Sequence, residues 1–259
     1  MKIVVCLKQV PDTETRVRIG ADGRSLAETE VNWVISPFDE FAIEEALRLK
    51  EAHGGEVVLV SLGPDRVLAA LRSGLAMGAD SAVHLKDPLF EATDTLGTAR
   101  ALAAAVKELL PFDLLLTGHQ GVGGDHGQIP GLLAEMLDLP QVTVAVKIAV
   151  AGASATVERE IEGARETWET SLPAVISTQK GLNEPRYASL KGIMAAKKKA
   201  IAVKDAAALG LAAAALHPKA LVVALELPPA RAAVRMIEGD ADAQVRELLR
   251  LLHEEAKVI

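Results

Sequence analysis

Short aliphatic runs alternate along the first half of this chain with amphipathic segments that have the period of an α-helix. The runs predict strands at residues 2–10, 56–62, 81–85 and 113–117, and the segments predict helices that begin near residues 36, 65, 93 and 130. Alternation of this kind is typical of a parallel sheet with right-handed crossovers and helices on both faces. The predicted fold class is therefore α/β, with a doubly wound, mostly parallel sheet.

The composition agrees with that architecture, because 50% of the residues are hydrophobic and only 3% are aromatic. A core with few rings is built from Ala, Val, Leu and Ile, which suit strands buried on both faces. No apolar run reaches the roughly 20 residues of a membrane-spanning helix, so we expect no membrane insertion. The net charge of −7 argues against nucleic acid as a partner. The single cysteine, Cys6, rules out an internal disulfide and favours a cytoplasmic location without a targeting peptide.

The second half of the chain has a different pattern. Residues 144–150, 155–161 and 165–170 alternate between apolar and polar side chains, which predicts a small antiparallel section. After residue 199 the chain is rich in Ala and then in Pro, and it ends in a charged amphipathic helix over residues 242–257. We therefore predict an α/β domain over residues 1–199 and an extended C-terminal arm over residues 200–259 that lies on another protein surface.

Five glycines follow the fourth predicted strand, and a helix begins directly after them. Such a loop lets backbone amides approach a phosphate, and the helix N-terminus adds partial positive charge. Three other element ends, at Cys6 with Lys8, at residues 36–39 and at residues 62–64, are expected at the same edge of the sheet. Small residues there suit an adenine ring held by main-chain hydrogen bonds. Asp39 and Asp125 are candidate ribose or amide partners, and each is equally a candidate helix N-cap.

Other chemistries are poorly supported around this loop. It matches neither the P-loop nor the dinucleotide-binding fingerprint, and a mobile loop without a ligand is the alternative interpretation. His119 and His126 could ligate a metal, but no carboxylate or cysteine pattern completes a set, so no metal site is predicted. Cys6 lies within an apolar strand and no Ser-His-Asp order is present, so we predict no catalytic residue.

Residues 181–199 do not have the pattern of a buried element, because single apolar side chains stand among charged ones and Pro185 interrupts any helix. A loop that offers apolar anchors beside Met and basic residues is typical of a docking surface. A surface loop that caps a sheet edge is the alternative. The basic patch of Lys191 and residues 197–199 is either a solvated face or a contact for an acidic partner. The candidate docking residues are Arg186, Tyr187, Leu190, Ile193 and Met194.

Several stretches together resemble the beta subunit of electron-transfer flavoproteins over nearly the whole chain. They are KIVVCLKQVPD, ISPFDEFAIEEALRLKE, SLGP, ALRSGLAMGAD, LLLTGHQGVGGDHGQIPGLLAEMLDLPQ, VEREIEG and LNEPRYASLKGIMAAKKK. The last two, with the intervening SLPAVIS, match the signature region of that family. The resemblance implies a Rossmann-like fold of the adenine-nucleotide alpha hydrolase type.

The resemblance also implies function. It implies an electron carrier, not an enzyme, that pairs with an alpha subunit carrying the redox-active FAD, and a structural AMP bound by this chain. Acyl-CoA and related dehydrogenases would donate electrons, and the electron-transfer flavoprotein quinone oxidoreductase of the membrane would accept them.

The same resemblance assigns roles to residues. Leu190 would anchor the dehydrogenase, Arg159 and Glu160 would lie near the subunit interface, and the arm from residue 200 would wrap the alpha subunit. The AMP contacts would fall on Cys6, Ser36, Pro37, Phe38, Asp39, Leu62, Gly118, Gly121, Val122, Gly123, Gly124, Asp125, His126, Gly127, Gln128 and Ile129.

Three departures from the family pattern concern the nucleotide site and the position after the anchor leucine. Ser36 stands where many members have Asn, and Lys191 stands where Pro is common. Residues 123–126 match neither the acidic loop typical of AMP-binding members nor the loop of bifurcating members, which hold a second FAD in this place. AMP is favoured over that second FAD. A stand-alone ATP-binding protein of the universal-stress type is a further alternative, which the lack of Lys or Arg in the glycine loop disfavours.

Overall fold

The computed structural model of the chain describes residues 1–231 and 233–259. These residues form two compact units, Met1–Val223 and Ala224–Ile259. The first unit contains the sheet and the candidate site, and the second unit contains a terminal helix.

The first unit is built on a nine-stranded sheet that confirms the predicted fold class. In space the strands follow the order β11-β5-β4-β1-β6-β10-β7-β8-β9. All pairs from β11 to β7 are parallel, and β7, β8 and β9 are antiparallel to one another, as the alternating pattern predicts. The strands are β1 Lys2–Cys6, β2 Gln9–Pro11, β3 Trp33–Ile35, β4 Glu56–Leu62, β5 Ser81–Leu85, β6 Leu114–Gly118, β7 Gln141–Ala151, β8 Ser154–Ile161, β9 Ala164–Ser171, β10 Ala174–Thr178 and β11 Ile201–Lys204.

Helices cover both faces of this sheet, because its central strands are apolar on both sides. In β1, Ile3 and Val5 enter one core and Val4 enters the other. Helices α1 and α2 contribute to the first core, and α4 and α5 contribute to the second. The helices are α1 Pro37–His53, α2 Val67–Met77, α3 Pro88–Glu91, α4 Thr95–Lys107, α5 Ile129–Leu137, α6 Leu190–Ala196, α7 Ala213–Leu216 and α8 Ala241–Arg250.

The first predicted strand, residues 2–10, is two strands in the structure. β1 ends at Cys6, and β2 pairs with β3 in a separate two-stranded antiparallel sheet. The cause is local, because both backbone groups of Lys8 bond to the start of α1. The Lys8 N–H donates to the Asp39 carboxylate at 2.7 Å, and the Lys8 carbonyl accepts from the Ser36 N–H at 2.9 Å. These bonds replace the ladder that would have continued the strand.

Part of the predicted arm belongs to the sheet unit. Residues 201–204 form the edge strand β11, which pairs with β5, and Ala206 and Leu216 are buried in the second core. The first unit therefore extends to Val223, so the boundary differs from the one expected at residue 199. A four-residue strand followed by Ala-rich sequence has too little amphipathic pattern to identify this packing.

The second unit ends in the amphipathic helix that the sequence predicts near residues 242–257. Helix α8 is capped by Asp240, whose carboxylate accepts from the N–H of Ala243 at 2.9 Å, and it continues as a π-helical turn over Leu251–Ala256. Its apolar residues Val245, Leu248 and Leu249 are exposed. Among the described residues, every helix is too short or too polar to cross a bilayer.

Candidate functional site

A cavity of about 710 Å³ lies at the carboxyl ends of β1, β4 and β6. Parallel strands bring their C-terminal ends to one edge of a sheet, so this is the position where open α/β sheets bind ligands. Of the predicted nucleotide contacts, the structure places on its wall Cys6, Asp39, Leu62, Gly118, Gly121, Gly124, Asp125, His126, Gly127, Gln128 and Ile129.

Asp39, at the start of α1, ties the ends of β1 and β6 together. Its carboxylate is buried and accepts hydrogen bonds from the backbone N–H groups of Lys8 and Gly118, both at 2.7 Å. Burial raises the pKa of this carboxyl to about 7, because the charged form loses water, and the two N–H donors oppose that shift. Asp39 therefore forms part of the cavity wall by fixing two strand ends.

Gly118 is required at this junction. A Cβ added to it would lie 2.5 Å from Asp39 Oδ1 and 2.8 Å from the backbone carbon of Phe38. Real Cβ atoms do not approach backbone carbon so closely, and the backbone of α1 is held by its own hydrogen bonds. The glycine thus lets β6 and α1 meet at the base of the cavity.

The glycine loop, residues 118–128, joins β6 to α5. Gly123 and Gly127 adopt positive φ angles of 90° and 61°, which cost glycine little. The loop folds over itself through Asp125, whose N–H donates to the Gly121 carbonyl at 3.0 Å and whose carboxylate accepts from Gln120 at 3.0 Å. Exposed main chain therefore faces the cavity beside the N-terminus of α5, as a phosphate-binding loop requires.

A strap of residues 218–222 forms another wall of the cavity, which sequence reasoning missed. Asp94 holds it, since its carboxylate accepts from the N–H groups of Lys219 at 2.6 Å and Ala220 at 3.2 Å. The same carboxylate caps α4 by accepting from Gly97 N–H, and these backbone bonds lower the pKa of Asp94. The cap is readable in the sequence, but the contact with a strap 125 residues away is not.

The remaining lining residues are not among the predicted nucleotide contacts, although Lys8 is expected beside Cys6 at this edge of the sheet. They come from the end of β1, from the first turns of α4 and from the start of the glycine loop. They include Leu7, Lys8, Thr93, Thr95, Thr98, Leu102, Thr117, His119 and Gln120. The threonines follow no motif, and only the fold brings the start of α4 to the glycine loop.

Five predicted nucleotide contacts do not line the cavity: Ser36, Pro37, Phe38, Val122 and Gly123. Ser36 is fully buried and donates weakly to the Gln120 carbonyl at 3.4 Å. The ring of Phe38 meets His119 edge-on at a centroid distance of 5.9 Å. Ser36 and Phe38 thus support the glycine loop from behind.

The titratable groups of the cavity favour binding over covalent chemistry. Burial raises the pKa of the Cys6 thiol far above neutrality, so the thiolate nucleophile is not formed at pH 7. Burial lowers the pKa of His119, against the opposing charge of Asp125, so its imidazole is neutral. Within the described ranges, no three His, Cys, Asp or Glu side chains are grouped as metal ligands.

The predicted docking residues form a protruding segment, residues 187–194, which we call the docking lip. Tyr187 is 100% exposed, Leu190 83% and Met194 61%, and Ile193 is also exposed. Ser189 caps α6 by accepting from the N–H of Gly192 at 3.0 Å, which sets Leu190 at the first position of the helix. Large apolar side chains are therefore exposed to solvent at the start of a capped helix.

Arg186 holds the docking lip to α1, although the sequence suggests it as a partner contact. Its Nε lies 2.7 Å from the carboxylate of Glu44, which is 3% exposed, and its other nitrogens contact Glu51. Burial opposes the charge on Glu44, but hydrogen bonds from Arg186 and Arg48 outweigh it and lower the pKa of that carboxyl. The Arg186 guanidinium thus forms ion pairs with carboxylates of α1 in the same chain.

Asn183 adds a second tie between the docking lip and α1. Its Nδ2 donates to the Phe41 carbonyl at 3.0 Å and to the Glu45 carboxylate at 2.9 Å. On the other side of the lip, Lys199 donates to carbonyls at the C-terminus of α2. One lysine of the predicted basic patch therefore caps a helix, which favours positive charge at its C-terminus.

Arg159 and Glu160 lie on β8, in the antiparallel section, and do not line the cavity. Glu160 pairs with Arg165 on β9 at 2.7 Å, and Arg159 approaches Glu166 at 3.8 Å. Both side chains are cross-strand partners in this sheet extension.

Comparison with known proteins gives a consistent family. The sequence model of the electron transfer flavoprotein domain matches residues 24–209. The chain is 39% identical to the electron transfer flavoprotein subunit beta of Bacillus subtilis over 261 positions that cover 100% of both chains. It is 40% identical to the subunit beta of Syntrophomonas wolfei over 100% of this chain and 98% of the relative, and 41% identical to that of Megasphaera elsdenii over 81% and 80%. The chain therefore belongs to the family of electron transfer flavoprotein beta subunits.

Proposed function

We propose that this chain binds a structural AMP in the cavity and pairs with an alpha subunit that carries FAD. Acyl-CoA and related dehydrogenases dock on the lip and reduce that flavin, and electrons then pass to a membrane quinone oxidoreductase. The chain itself is an electron-carrier subunit without catalytic residues, and its single cysteine favours a cytoplasmic setting. The observation that carries the proposal is a cavity walled by a glycine loop, combined with an ordered apolar lip.

The lining of the cavity suits an adenylate. The cavity volume of about 710 Å³ lies in the range of small-molecule sites, which are mostly apolar and contain a few polar groups that orient the ligand. Leu62, Leu102 and Leu221 provide apolar surface for a base, and the glycine loop provides backbone N–H groups for a phosphate. No step of bond formation is required of these residues, and the bound nucleotide would stabilise the folded subunit by mass action.

The decisive experiment is to identify the nucleotides of the complex. The chain is co-expressed with its alpha subunit, and the purified heterodimer is denatured to release nucleotides for chromatography and mass measurement. We expect one AMP and one FAD per heterodimer. Two FAD per heterodimer would establish the bifurcating alternative, and ATP bound to the isolated chain with hydrolysis would establish the universal-stress alternative. A heterodimer without FAD would contradict the proposal.

Replacing Gly124 by Val tests the nucleotide position. In the structure the nearest atom to an added Cβ at Gly124 is Lys8 Nζ at 3.9 Å, so the protein itself leaves room for that atom. A bound phosphate would not, because glycine lets the loop backbone approach it closely. We expect Gly124→Val to reduce the AMP content of the purified heterodimer roughly tenfold or more while the fold persists. Ala153→Val, at an exposed position of the β7–β8 turn without a positive φ, is the control, and an unchanged AMP content in Gly124→Val would place the nucleotide elsewhere.

A further inference from the structure

Lys8 reaches the glycine loop from the end of β1, far away in the sequence. Its backbone is fixed by Asp39 and Ser36, as described above, so the side chain starts from a defined position. A Cβ built on Gly121 would lie 2.8 Å from Lys8 Cδ and 3.1 Å from its Nζ. The ammonium group therefore lies directly against the loop, and Gly121 leaves the space that the lysine side chain occupies.

The charges around the cavity single out this ammonium group. Of the described residues that line the cavity, Lys8 is the one Lys or Arg. The carboxylates of Asp94 and Asp125 already accept hydrogen bonds from the strap and from Gln120. The Asp39 carboxylate accepts two backbone N–H groups, and the Lys8 charge acts on it only through space, by helping to lower its pKa against burial. Lys8 Nζ makes no hydrogen bond or ion pair with any residue in the described part of the chain.

We propose that Lys8 is the phosphate-recognition residue of this cavity, placing its ammonium group against the phosphomonoester of the bound nucleotide. This inference rests on the nucleotide site proposed above. A charged donor on a phosphate gives a stronger hydrogen bond than a neutral backbone amide. The glycine loop itself contains no Lys or Arg, and the segment between β1 and β2 supplies the cation instead. The residue makes the site selective for a nucleotide over a nucleoside.

The test is a direct competition between AMP and adenosine, which differ only in the phosphate. The heterodimer is unfolded in urea and refolded in equal concentrations of the two, and the bound ratio is measured by chromatography. We expect the unmodified heterodimer to select AMP. Lys8→Met is expected to lower the AMP to adenosine ratio by roughly tenfold or more, while adenosine is still captured.

Two further variants complete the design. Lys107→Met, at the end of α4 remote from the cavity, is expected to leave the ratio unchanged. Lys8→Gln, which also lacks the positive charge, is expected to lower the ratio in the same direction, and it decides the matter if Lys8→Met does not refold. An unchanged ratio in Lys8→Met, or in Lys8→Gln where that variant decides, overturns the inference. If the unmodified heterodimer captures neither compound, the proposed nucleotide site itself fails and the role of Lys8 falls with it.

Discussion

Replacing Leu190 by Ala is expected to slow electron delivery from an acyl-CoA dehydrogenase by roughly thirtyfold at low partner concentration. Leu190 is 83% exposed at the start of α6, so its truncation removes apolar contact area without opening a cavity in the subunit. Anchor residues at the centre of a protein interface cost about 2 kcal/mol or more on truncation to Ala, which corresponds to roughly thirtyfold in affinity. The measurement is stopped-flow reduction of the FAD by the reduced dehydrogenase at increasing partner concentration.

The matched control is Val17→Ala, which shortens an apolar side chain of 51% exposure outside the docking lip. Its reduction kinetics should equal those of the unmodified heterodimer. The AMP content of Leu190→Ala should also be unchanged, because Leu190 does not line the cavity, and its FAD content is measured as the check on assembly. Reduction of Leu190→Ala at the unmodified rate over the whole concentration range would show that the lip is not the docking surface.

Gly118→Ala is expected to destabilise the subunit by roughly 3 kcal/mol, through overpacking and loss of buried hydrogen bonds. The added Cβ would lie 2.5 Å from Asp39 Oδ1 and 2.8 Å from the backbone of Phe38. Relief requires α1 to move away from β6, which breaks the hydrogen bonds from Gly118 and Lys8 to Asp39. Urea denaturation of the heterodimer, followed by circular dichroism, measures the change.

Gly131→Ala, in α5, provides the control for that variant, since its added Cβ meets no atom closer than 3.6 Å, its φ angle is not in the left-handed region and the residue does not line the cavity. We expect its denaturation midpoint to stay close to that of the unmodified protein. Equal midpoints for Gly118→Ala and Gly131→Ala would mean that the junction of β6 and α1 is looser than the structure implies.

The sequence predicts the sheet well because most of its strands are aliphatic runs with clear ends. Residues 56–62 and 81–85 are strands in both the prediction and the structure. The glycine loop is also recognisable in the sequence, because several glycines between a strand and a helix are typical of a loop that approaches a ligand closely. The strand at residues 201–204 escapes prediction because it is short and its neighbours are mostly Ala, which fits many environments.

The side-chain network of the candidate site could be read only in part. Asp39 is recognisable as a polar residue at a helix start, but its hydrogen bonds to Lys8 and Gly118 depend on the meeting of three elements. Asp94 and the strap are likewise joined only by the fold. The pairing of Arg186 with Glu44 is likewise invisible in the sequence, and the role of Arg186 as a partner contact stays a prediction. Sequence spacing carries no information about such long-range pairs.

Helix α1 serves both functional regions, and this has an evolutionary consequence. Its first turn supplies Asp39 to the cavity, whereas its later turns supply Glu44 and Glu45 to the ties of Arg186 and Asn183. The docking lip, residues 187–194, follows those ties, so we expect that it can be exchanged between homologous subunits without disturbing the cavity. Transplanting residues 187–194 while keeping both tying residues should retarget the subunit to other electron donors, so partner choice can diversify on an unchanged scaffold.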